Sequence, residues 1–137
     1  MKIFLDANVL VAVLNEEYPY YSDCARILSL TESSRFKVYT SPLCLAIAFY
    51  FAEKKNRNTA RQRINILSGR LLISDVTEKT VKQTSKDKRI HDFEDGLQYY
   101  SALDSGCKVI VTEDKDDFYF ADIEVMTSRA FMENYVF

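Results

Sequence analysis

The sequence predicts an α/β fold in which a central parallel sheet of about five strands is covered by helices on both faces. Short apolar segments without polar alternation recur along the chain, as expected for strands that are buried on both sides. Segments with helical apolar spacing separate them. Only three Gly and two Pro occur among the 137 residues, which argues against long loops or linkers. A chain of this length forms one domain with a substantial core, so we expect a single domain over residues 1–137.

The first part of the chain is predicted to contain two strands and two helices. KIFLD, at 2–6, is a short apolar run that ends in a carboxylate, which is typical of a buried strand. The helix ANVLVAVLN follows it at 7–15. Residues 20–32 have helical apolar spacing, and KVYT at 37–40 is the second strand.

A third helix is predicted at 43–55. Ser41 supplies an N-cap and Pro42 occupies the first helical position, where proline costs no hydrogen bond. The segment LCLAIAFYFAEKK is apolar on almost every side until Glu53, so we expect this helix to be buried.

A basic helix and a third strand follow. Asn58 is placed to cap a helix that continues to about Leu67, and Gly69 is expected to end it. RLLISD, at 70–75, is the third strand. A polar, lysine-rich helix capped by Thr77 then continues to residue 86.

The last part of the chain is predicted to contain two helices and two strands. Asp92 opens a helix that continues to about Leu103, and Gly106 ends it. KVIVT at 108–112 and IEVMT at 123–127 are the fourth and fifth strands. Ser128 is expected to cap a final helix, RAFMENY.

Composition points to a cytoplasmic protein. No apolar run has the length of a membrane span, and the first strand begins almost at Met1, which leaves no room for a signal peptide. Cys24, Cys44 and Cys107 are scattered through apolar stretches without metal-binding spacing, so they are expected to be reduced core thiols. A single histidine, His91, excludes a multi-histidine metal site.

Charge is unevenly distributed although the net charge is only −2. Ten of the 20 acids lie between Asp92 and Glu124. One basic stretch comprises Lys54, Lys55, Arg57, Arg61 and Arg63. Such segregation suits an enzyme with metal in an acidic cavity and nucleic-acid phosphates along a basic rim. Two solvated helix faces would explain the pattern equally well.

Three carboxylates are predicted to meet at one edge of the sheet. Asp6 ends the first strand, Asp114 follows the VIVT strand, and Asp95 lies in the first turn of the helix that leads into that strand. The carboxyl ends of parallel strands share an edge, where ligands bind at the switch in strand order. Converging carboxylates repel one another unless a divalent cation lies among them, so we expect an Mg²⁺ or Mn²⁺ site that cleaves phosphodiesters.

Neighbouring residues refine this hypothesis. Asp92 shares a helix face with Asp95, whereas Glu94 is turned about 100° away and is expected to face solvent or a lysine. Asn8 and Thr112 are placed to orient the carboxylates of Asp6 and Asp114 through hydrogen bonds.

Each carboxylate also has a purely structural interpretation. Asp6 would hydrogen-bond the helix that follows it, the acids at 92–95 would favour a helix N-terminus, and those at 114–117 would form a turn. A phosphatase with an aspartyl-phosphate intermediate is a weaker alternative, because its Asp-x-Asp motif would need a carboxylate at Asn8.

These segments resemble the PIN domain family. FLDANVLV at 4–11 looks like its opening strand and helix, and YTSPLCLAIAFYFAEKK at 39–55 resembles its middle helix. The segment DFEDGLQYYSALDSGCKVIVTEDKDDF at 92–118 looks like its second half. Together with the closing VMTSRAFME, the resemblance covers nearly the whole chain.

The resemblance implies a three-layer α/β/α fold and a magnesium- or manganese-dependent endoribonuclease. Small single-domain members are often VapC-like toxins that a partner antitoxin neutralises, and they often form homodimers. Asp6, Asp95 and Asp114 would then be catalytic metal ligands, with Asp117 as an accessory, and single-stranded RNA the substrate. Lys54, Lys55, Arg57 and Arg61 would hold its phosphates.

One position departs from the family pattern. The middle helix of PIN domains usually carries a glutamate ligand where this chain has Ile47. Glu53 lies about 240° further round the helix, so it cannot substitute directly. The acidic set is reduced to three unless Asp92 supplies the missing carboxylate. A catalytically inactive PIN-like module that binds RNA or a protein partner is therefore the alternative hypothesis.

Overall fold

A computed structural model describes residues 1–137, which are organised around a five-stranded parallel sheet of order β3-β2-β1-β4-β5. The strands are β1 (Lys2–Leu5), β2 (Lys37–Thr40), β3 (Leu72–Ile73), β4 (Val109–Val111) and β5 (Glu124–Met126). Every neighbouring pair is parallel. The predicted α/β fold with about five parallel strands is confirmed.

Seven helices cover the sheet. They are α1 (Ala7–Leu14), α2 (Tyr21–Ser29), α3 (Pro42–Lys55), α4 (Arg57–Arg70), α5 (Glu78–Lys86), α6 (Phe93–Asp104) and α7 (Ser128–Phe131). Short 3₁₀ helices occupy Leu30–Glu32 and Lys115–Phe118, and a π-helical turn occupies Met132–Val136. Helix α1 packs against both α2 and α3, and α3 packs against α4, whereas α5 packs against α6. The chain steps from β1 to β2 to β3 in one direction and then crosses back to β4, so right-handed crossovers place these two groups on opposite faces.

The centre of the sheet is completely buried. Ile3, Phe4 and Leu5 in β1 and the β4 residues 109–111 are all 0% exposed. Strand order reverses at β1, because β2 and β4 follow it on opposite sides. The carboxyl ends of β1 and β4 therefore form the switch point at which ligands of open α/β sheets bind.

Helix starts agree with the capping signals in most cases. The Ser41 hydroxyl accepts a hydrogen bond from the backbone N–H of Cys44 at 3.0 Å, as predicted for an N-cap. Thr77 caps α5 as predicted, in a reciprocal capping box with Thr80. The predicted cap of the last helix is wrong: Thr127 rather than Ser128 accepts from Ala130, and the Ser128 hydroxyl instead donates to Glu113.

The prediction that the middle helix is buried on almost every side is wrong. Only three small residues of α3 are buried, namely Cys44, Ala48 and Ala52, which are spaced four apart. This helix packs in the outer layer between α1 and α4, so small side chains face inward and the large ones lie on its flanks and outer face. Tyr50 and Phe51 remain 53% and 44% exposed.

The boundaries around α4 also differ from the prediction. The helix begins at Arg57 after Asn56 rather than after Asn58, and it continues through Gly69 to Arg70. Nothing lies within 4 Å of the position of a Cβ on Gly69, so no close contact demands a turn there. A glycine within a helix lowers its stability by about 1 kcal/mol relative to alanine, which is small enough for the helix to continue through Gly69. The strand that follows is shortened to Leu72–Ile73, an edge pair to Tyr39 and Thr40 of β2.

The remaining features follow the sequence. Residues 20–32 form α2 and a 3₁₀ turn, and α6 begins at Phe93 with Asp92 as its N-cap. Cys24, Cys44 and Cys107 are free and buried, as predicted. None of the helices combines the length and the apolar character needed to cross a membrane.

Candidate active site

A cavity of about 360 Å³ opens at the carboxyl ends of β1 and β4. Residues of the wall come from α1, the turn after it, α3, the start of α6 and the segment after β4. Six carboxylates line it: Asp6, Glu17, Glu94, Asp95, Asp114 and Asp117. The remaining wall is the amide of Asn8 and an apolar side formed by Ala7, Val11, Ile47 and Phe51. The predicted trio of Asp6, Asp95 and Asp114 thus lines one cavity.

Asp6 is the most constrained of the carboxylates. It follows β1 directly, and its backbone N–H donates to Val111 of β4 at 3.0 Å. Its Oδ1 accepts from the N–H of Ala7 at 2.8 Å and lies 3.8 Å from the Cys44 thiol, while its Oδ2 accepts from Thr112 at 2.9 Å. Burial raises the pKa of the Asp6 carboxyl, the hydrogen bonds lower it in part, and the charges of Asp114 and Asp117 add to the rise.

The hydroxyl of Thr112 connects both strand ends. It donates to Asp6 and accepts from the side-chain amide of Asn8 at 3.0 Å and from the backbone N–H of Asp114 at 3.1 Å. Asn8 also donates to the Asp114 carboxylate at 3.2 Å. Both lone pairs and the proton of this hydroxyl are therefore used. Asn8 and Thr112 lie where an orienting role for Asp6 and Asp114 requires them.

The first turn of α6 faces the cavity differently from the sequence expectation. Asp92 precedes the helix, and its Oδ1 accepts from the backbone N–H groups of Glu94 and Asp95 at 2.9 and 3.4 Å. Asp92 is thus an N-cap and is not part of the cavity wall. Glu94 is exposed, as expected, but it also lines the wall beside Asp95.

The carboxyl of Asp95 has a strongly raised pKa. Burial raises its pKa to about 7, with further contributions from the charges of Asp92, Asp117 and Asp6. The next residue, Gly96, fixes how closely α6 approaches α5: a Cβ there would lie 2.5 Å from the Cγ2 of Thr84. This contact holds the N-terminal turn of α6, and with it Asp95, against the rest of the fold.

Asp117 and Glu17 complete the acidic wall. Asp117 lies on the 3₁₀ helix after β4, which the buried Phe118 anchors; burial raises the Asp117 pKa, and Asp114 is its strongest charged neighbour. Glu17 follows Glu16, whose left-handed backbone (φ 51°) turns the chain after α1. Glu17 therefore lines the cavity from the turn that follows α1.

The predicted phosphate-binding residues lie on exposed turns of α3 and α4. Lys54, Lys55, Arg57 and Arg61 are all exposed, and none of them takes part in an ion pair. The Lys54 ammonium lies 4.6 Å from the ring centroid of Tyr50. Lys54 is about one helical turn beyond Phe51, which is a residue of the cavity wall. Lys55 is engaged with the backbone carbonyl of Asn15, which ties the end of α3 to the end of α1.

The chemistry of the cavity fits a hard divalent cation. All its charged groups are carboxylates, with Asn8 as the one neutral oxygen donor among its side chains, which suits Mg²⁺ or Mn²⁺. Burial raises the pKa of the nearby Cys44 thiol to about 12, so it is a neutral group rather than a thiolate ligand. With the side chains as they lie, no three His, Cys, Asp or Glu residues form a group that could hold an ion. Binding of a cation would therefore require carboxylate side chains of the wall to move toward it.

Three carboxylate or aromatic residues of the wall were not identified from the sequence: Glu94 was expected to face away from it, and Glu17 and Phe51 carry no signal for the site. Glu94 adjoins Asp95 in a first helical turn, which was the available signal. Glu17 follows a helix end without periodicity, and Phe51 belongs to a helix expected to be buried.

A parallel sheet that carries an acidic cavity at its switch point places the protein among α/β proteins with a carboxylate site at the strand ends. The profile of the PIN domain family matches residues 2–116, and the chain belongs to this family. The resemblance inferred from the motifs is confirmed.

Similar proteins carry the same fold over nearly the full chain. Ribonuclease VapC1 of Aquifex aeolicus (strain VF5) is 30% identical over 98% of this chain and 95% of its own length. The structure of VapBC2 from Rickettsia felis, bound to a DNA fragment from the promoter, gives a TM-score of 0.70 at 19% identity, over 92% of this chain and 97% of that one. VapBC-1 from nontypeable Haemophilus influenzae gives 0.71 at 16%, over 94% and 99%.

Proposed function

We propose that this chain is a divalent-metal-dependent endoribonuclease that cleaves single-stranded RNA. The main support is the convergence of Asp6, Asp95 and Asp114 on one cavity at the sheet's switch point. The relative at 30% identity is named a ribonuclease, which agrees with this chemistry. We assign the catalytic role to these three carboxylates, with Asp117 as an accessory.

The residues of the cavity have distinct tasks in this reaction. Bound Mg²⁺ or Mn²⁺ would lower the pKa of an attacking water and offset the charge of the phosphate. Thr112, Ala7 and Cys44 hold the Asp6 carboxylate in one rotamer, and Asn8 holds Asp114. No Ser, Thr, Cys, His or Lys lines the cavity, and its carboxylates are assigned to the cation, so water is the nucleophile in this reaction.

One stripe of α3 supplies a path for the RNA strand. Ile47, Phe51 and Lys54 lie within two helical turns on one side of the helix, with Tyr50 beside them. Phe51 and Ile47 are in the cavity wall, and the exposed Tyr50 ring packs edge-on against Phe51 at 5.3 Å under the Lys54 ammonium. Exposed rings beside unpaired cations are what single-stranded nucleic acid binds, because bases stack and phosphates pair.

Replacement of Phe51 by alanine is expected to weaken binding of a short single-stranded RNA by about tenfold, since loss of one stacking ring costs about 1–3 kcal/mol. Fluorescence anisotropy in Ca²⁺, used to limit cleavage, would measure the affinity. Val81→Ala on α5, at 42% exposure a similarly exposed apolar side chain, is the control and should leave affinity unchanged. Equal RNA affinities for the two variants would show that the RNA does not contact this side of α3.

The proposed activity is tested with the intact chain and a labelled single-stranded RNA. We expect cleavage in Mn²⁺, none in EDTA, and much weaker action on double-stranded RNA, because paired bases cannot stack on the protein. Absence of cleavage at millimolar Mn²⁺ across a panel of RNA sequences would contradict the proposal.

A catalytically inactive module that binds RNA or a partner is the second candidate. Ile47 favours it, because a hydrocarbon side chain occupies the wall where a carboxylate would serve as a ligand. Calorimetry separates the two functions: an inactive module would bind no Mn²⁺ at millimolar concentration, whereas the nuclease binds it through Asp6.

We further propose a partner antitoxin, a homodimer and a cytoplasmic location. The similar structures are VapBC assemblies, which supports a toxin–antitoxin pair. Three buried free thiols fit a reducing compartment. Purification from the native host, followed by mass spectrometry and light scattering, tests the partner and the dimer. A nuclease recovered alone, at the mass of one chain, would contradict both the partner and the dimer.

A further inference from the structure

The middle helix contributes no carboxylate to the cavity. Its side of the wall consists of Ile47 and Phe51, neither of which can bind a cation. Glu53, the one acid of α3, is exposed and is not part of the wall. A cation held by Asp6, Asp95 and Asp114 alone would have three carboxylates, so any fourth must come from another element.

The start of α6 offers two acids, and the backbone decides between them. Asp92 is committed to its own helix, because its Oδ1 accepts two backbone N–H groups of the first turn. The carboxylate of Glu94, in contrast, makes no hydrogen bond and no ion pair with any residue of the chain. Its side chain is exposed and long, so it can swing toward an ion at little cost in packing.

Glu94 is also close to the centre of the site. It lines the same cavity as Asp6 and adjoins Asp95 in the chain. Glu17 lines the wall as well, but it follows α1 and adjoins none of the three carboxylates in the chain.

We propose that Glu94 is a metal ligand that replaces the carboxylate missing at Ile47, so that the cation site comprises Asp6, Glu94, Asp95 and Asp114. This inference rests on the proposed metal-dependent function. Two adjacent ligands on the first turn of α6 then face Asp6 and Asp114 at the strand ends, and the helix N-terminus beneath them favours their negative charge.

The test is direct Mn²⁺ binding by electron paramagnetic resonance and calorimetry, with no RNA present. Glu94→Gln is expected to weaken Mn²⁺ affinity by about tenfold or more, since affinity for hard cations follows the number of charged ligands. Glu94→Asp should fall between Glu94→Gln and the unmodified chain. Two matched controls are Glu53→Gln, at an exposed position outside the wall, and Asp92→Asn, which keeps the N-cap because asparagine caps as well as aspartate. Both should change affinity less than threefold.

The outcomes separate this inference from the proposed function. An Mn²⁺ affinity of Glu94→Gln equal to that of Glu53→Gln overturns the role of Glu94, whatever the RNA assay gives. A larger loss in Asp92→Asn than in Glu94→Gln also overturns it, as does a chain that binds no Mn²⁺. Metal binding that depends on Glu94 without any RNA cleavage supports the ligand set and contradicts the nuclease. Circular dichroism in EDTA should show the same fold for all variants, because Glu94 makes no contact that the fold needs.

Discussion

Replacement of Asp6 by asparagine is expected to lower the rate of Mn²⁺-dependent cleavage of single-stranded RNA by about 100- to 1,000-fold. The change removes a negative charge from the centre of the proposed cation site. It also introduces a hydrogen-bonding conflict. Oδ1 of Asp6 accepts from Ala7, and Oδ2 accepts from Thr112. An asparagine would direct an N–H₂ group at one of these donors in either orientation of its amide.

Thr112 cannot relieve this conflict by turning its hydroxyl. Its two lone pairs already accept from Asn8 and from the Asp114 backbone. An unpaired buried donor costs about 1–3 kcal/mol. Loss of repulsion from Asp114 and Asp117 works in the opposite direction. The melting temperature in EDTA should therefore change by no more than about 5 °C.

Asp104→Asn is a suitable control for this experiment, because Asp104 lies at the opposite end of α6 from the cavity. Its cleavage rate should equal that of the unmodified chain in a gel assay with labelled RNA. Cleavage by Asp6→Asn at the unmodified rate would refute a catalytic role for this carboxylate and, with it, the assignment of the cavity.

The second large effect concerns pH. Affinity for Mn²⁺ is expected to rise about tenfold per pH unit below pH 7 and to level off above it. Asp95 is the reason: its pKa is raised from 3.8 to about 7, so a cation must displace a proton at lower pH. Asp6 has a raised pKa as well, because burial disfavours its charged form, and it adds to the dependence. Calorimetric titrations between pH 5.5 and 8.5 would measure this slope.

Stability without metal should change in the opposite direction. The Asp95 carboxyl binds a proton more tightly in the folded chain than in the unfolded one. The folded state therefore holds the extra proton between about pH 4 and pH 7, and the free energy of unfolding falls as pH rises through this range. Asp95→Asn should abolish that part of the decrease and raise the melting temperature at pH 8 in EDTA. Asp116→Asn, outside the cavity wall, should do neither. A slope that is identical in Asp95→Asn would show that other groups cause it.

Much of the fold and part of the site could be predicted because the relevant signals are local. Asp6 and Asp114 follow short apolar strands, and a parallel sheet brings such strand ends to one edge whatever the details of the helices. Thr112 and Asn8 lie next to them in sequence, so their hydrogen bonds to these carboxylates follow from the same register.

The assignment of α6 failed for a specific geometric reason. The rule of 100° per residue applies within a helix, but Asp92 is an N-cap with extended backbone (φ −103°, ψ 115°). The angle between Asp92 and Asp95 therefore could not be obtained from helical spacing. Glu94 lies inside the helix, and its approach to the cavity depends on how Gly96 packs α6 against α5, which is a tertiary contact.

The exposure of α3 could not be predicted for a different reason. Its outer side carries Tyr50 and Phe51, which are as hydrophobic as core residues, so composition alone favoured burial. Only the order of the layers determines that α3 keeps one side free. Large apolar side chains on that side are the expected sign of a binding surface.

The link between Asp6 and Thr112 joins the two strands at the middle of the sheet, where the strand residues are fully buried. Transient opening of an edge strand such as β3 would leave this link intact, because β2 lies between β3 and β1. Heat inactivation should consequently coincide with global unfolding, and the amide of Asp6, which bonds to Val111, should be among the slowest to exchange with deuterium. An amide that exchanges much faster than those of β1 would show that the carboxyl ends of these strands open on their own.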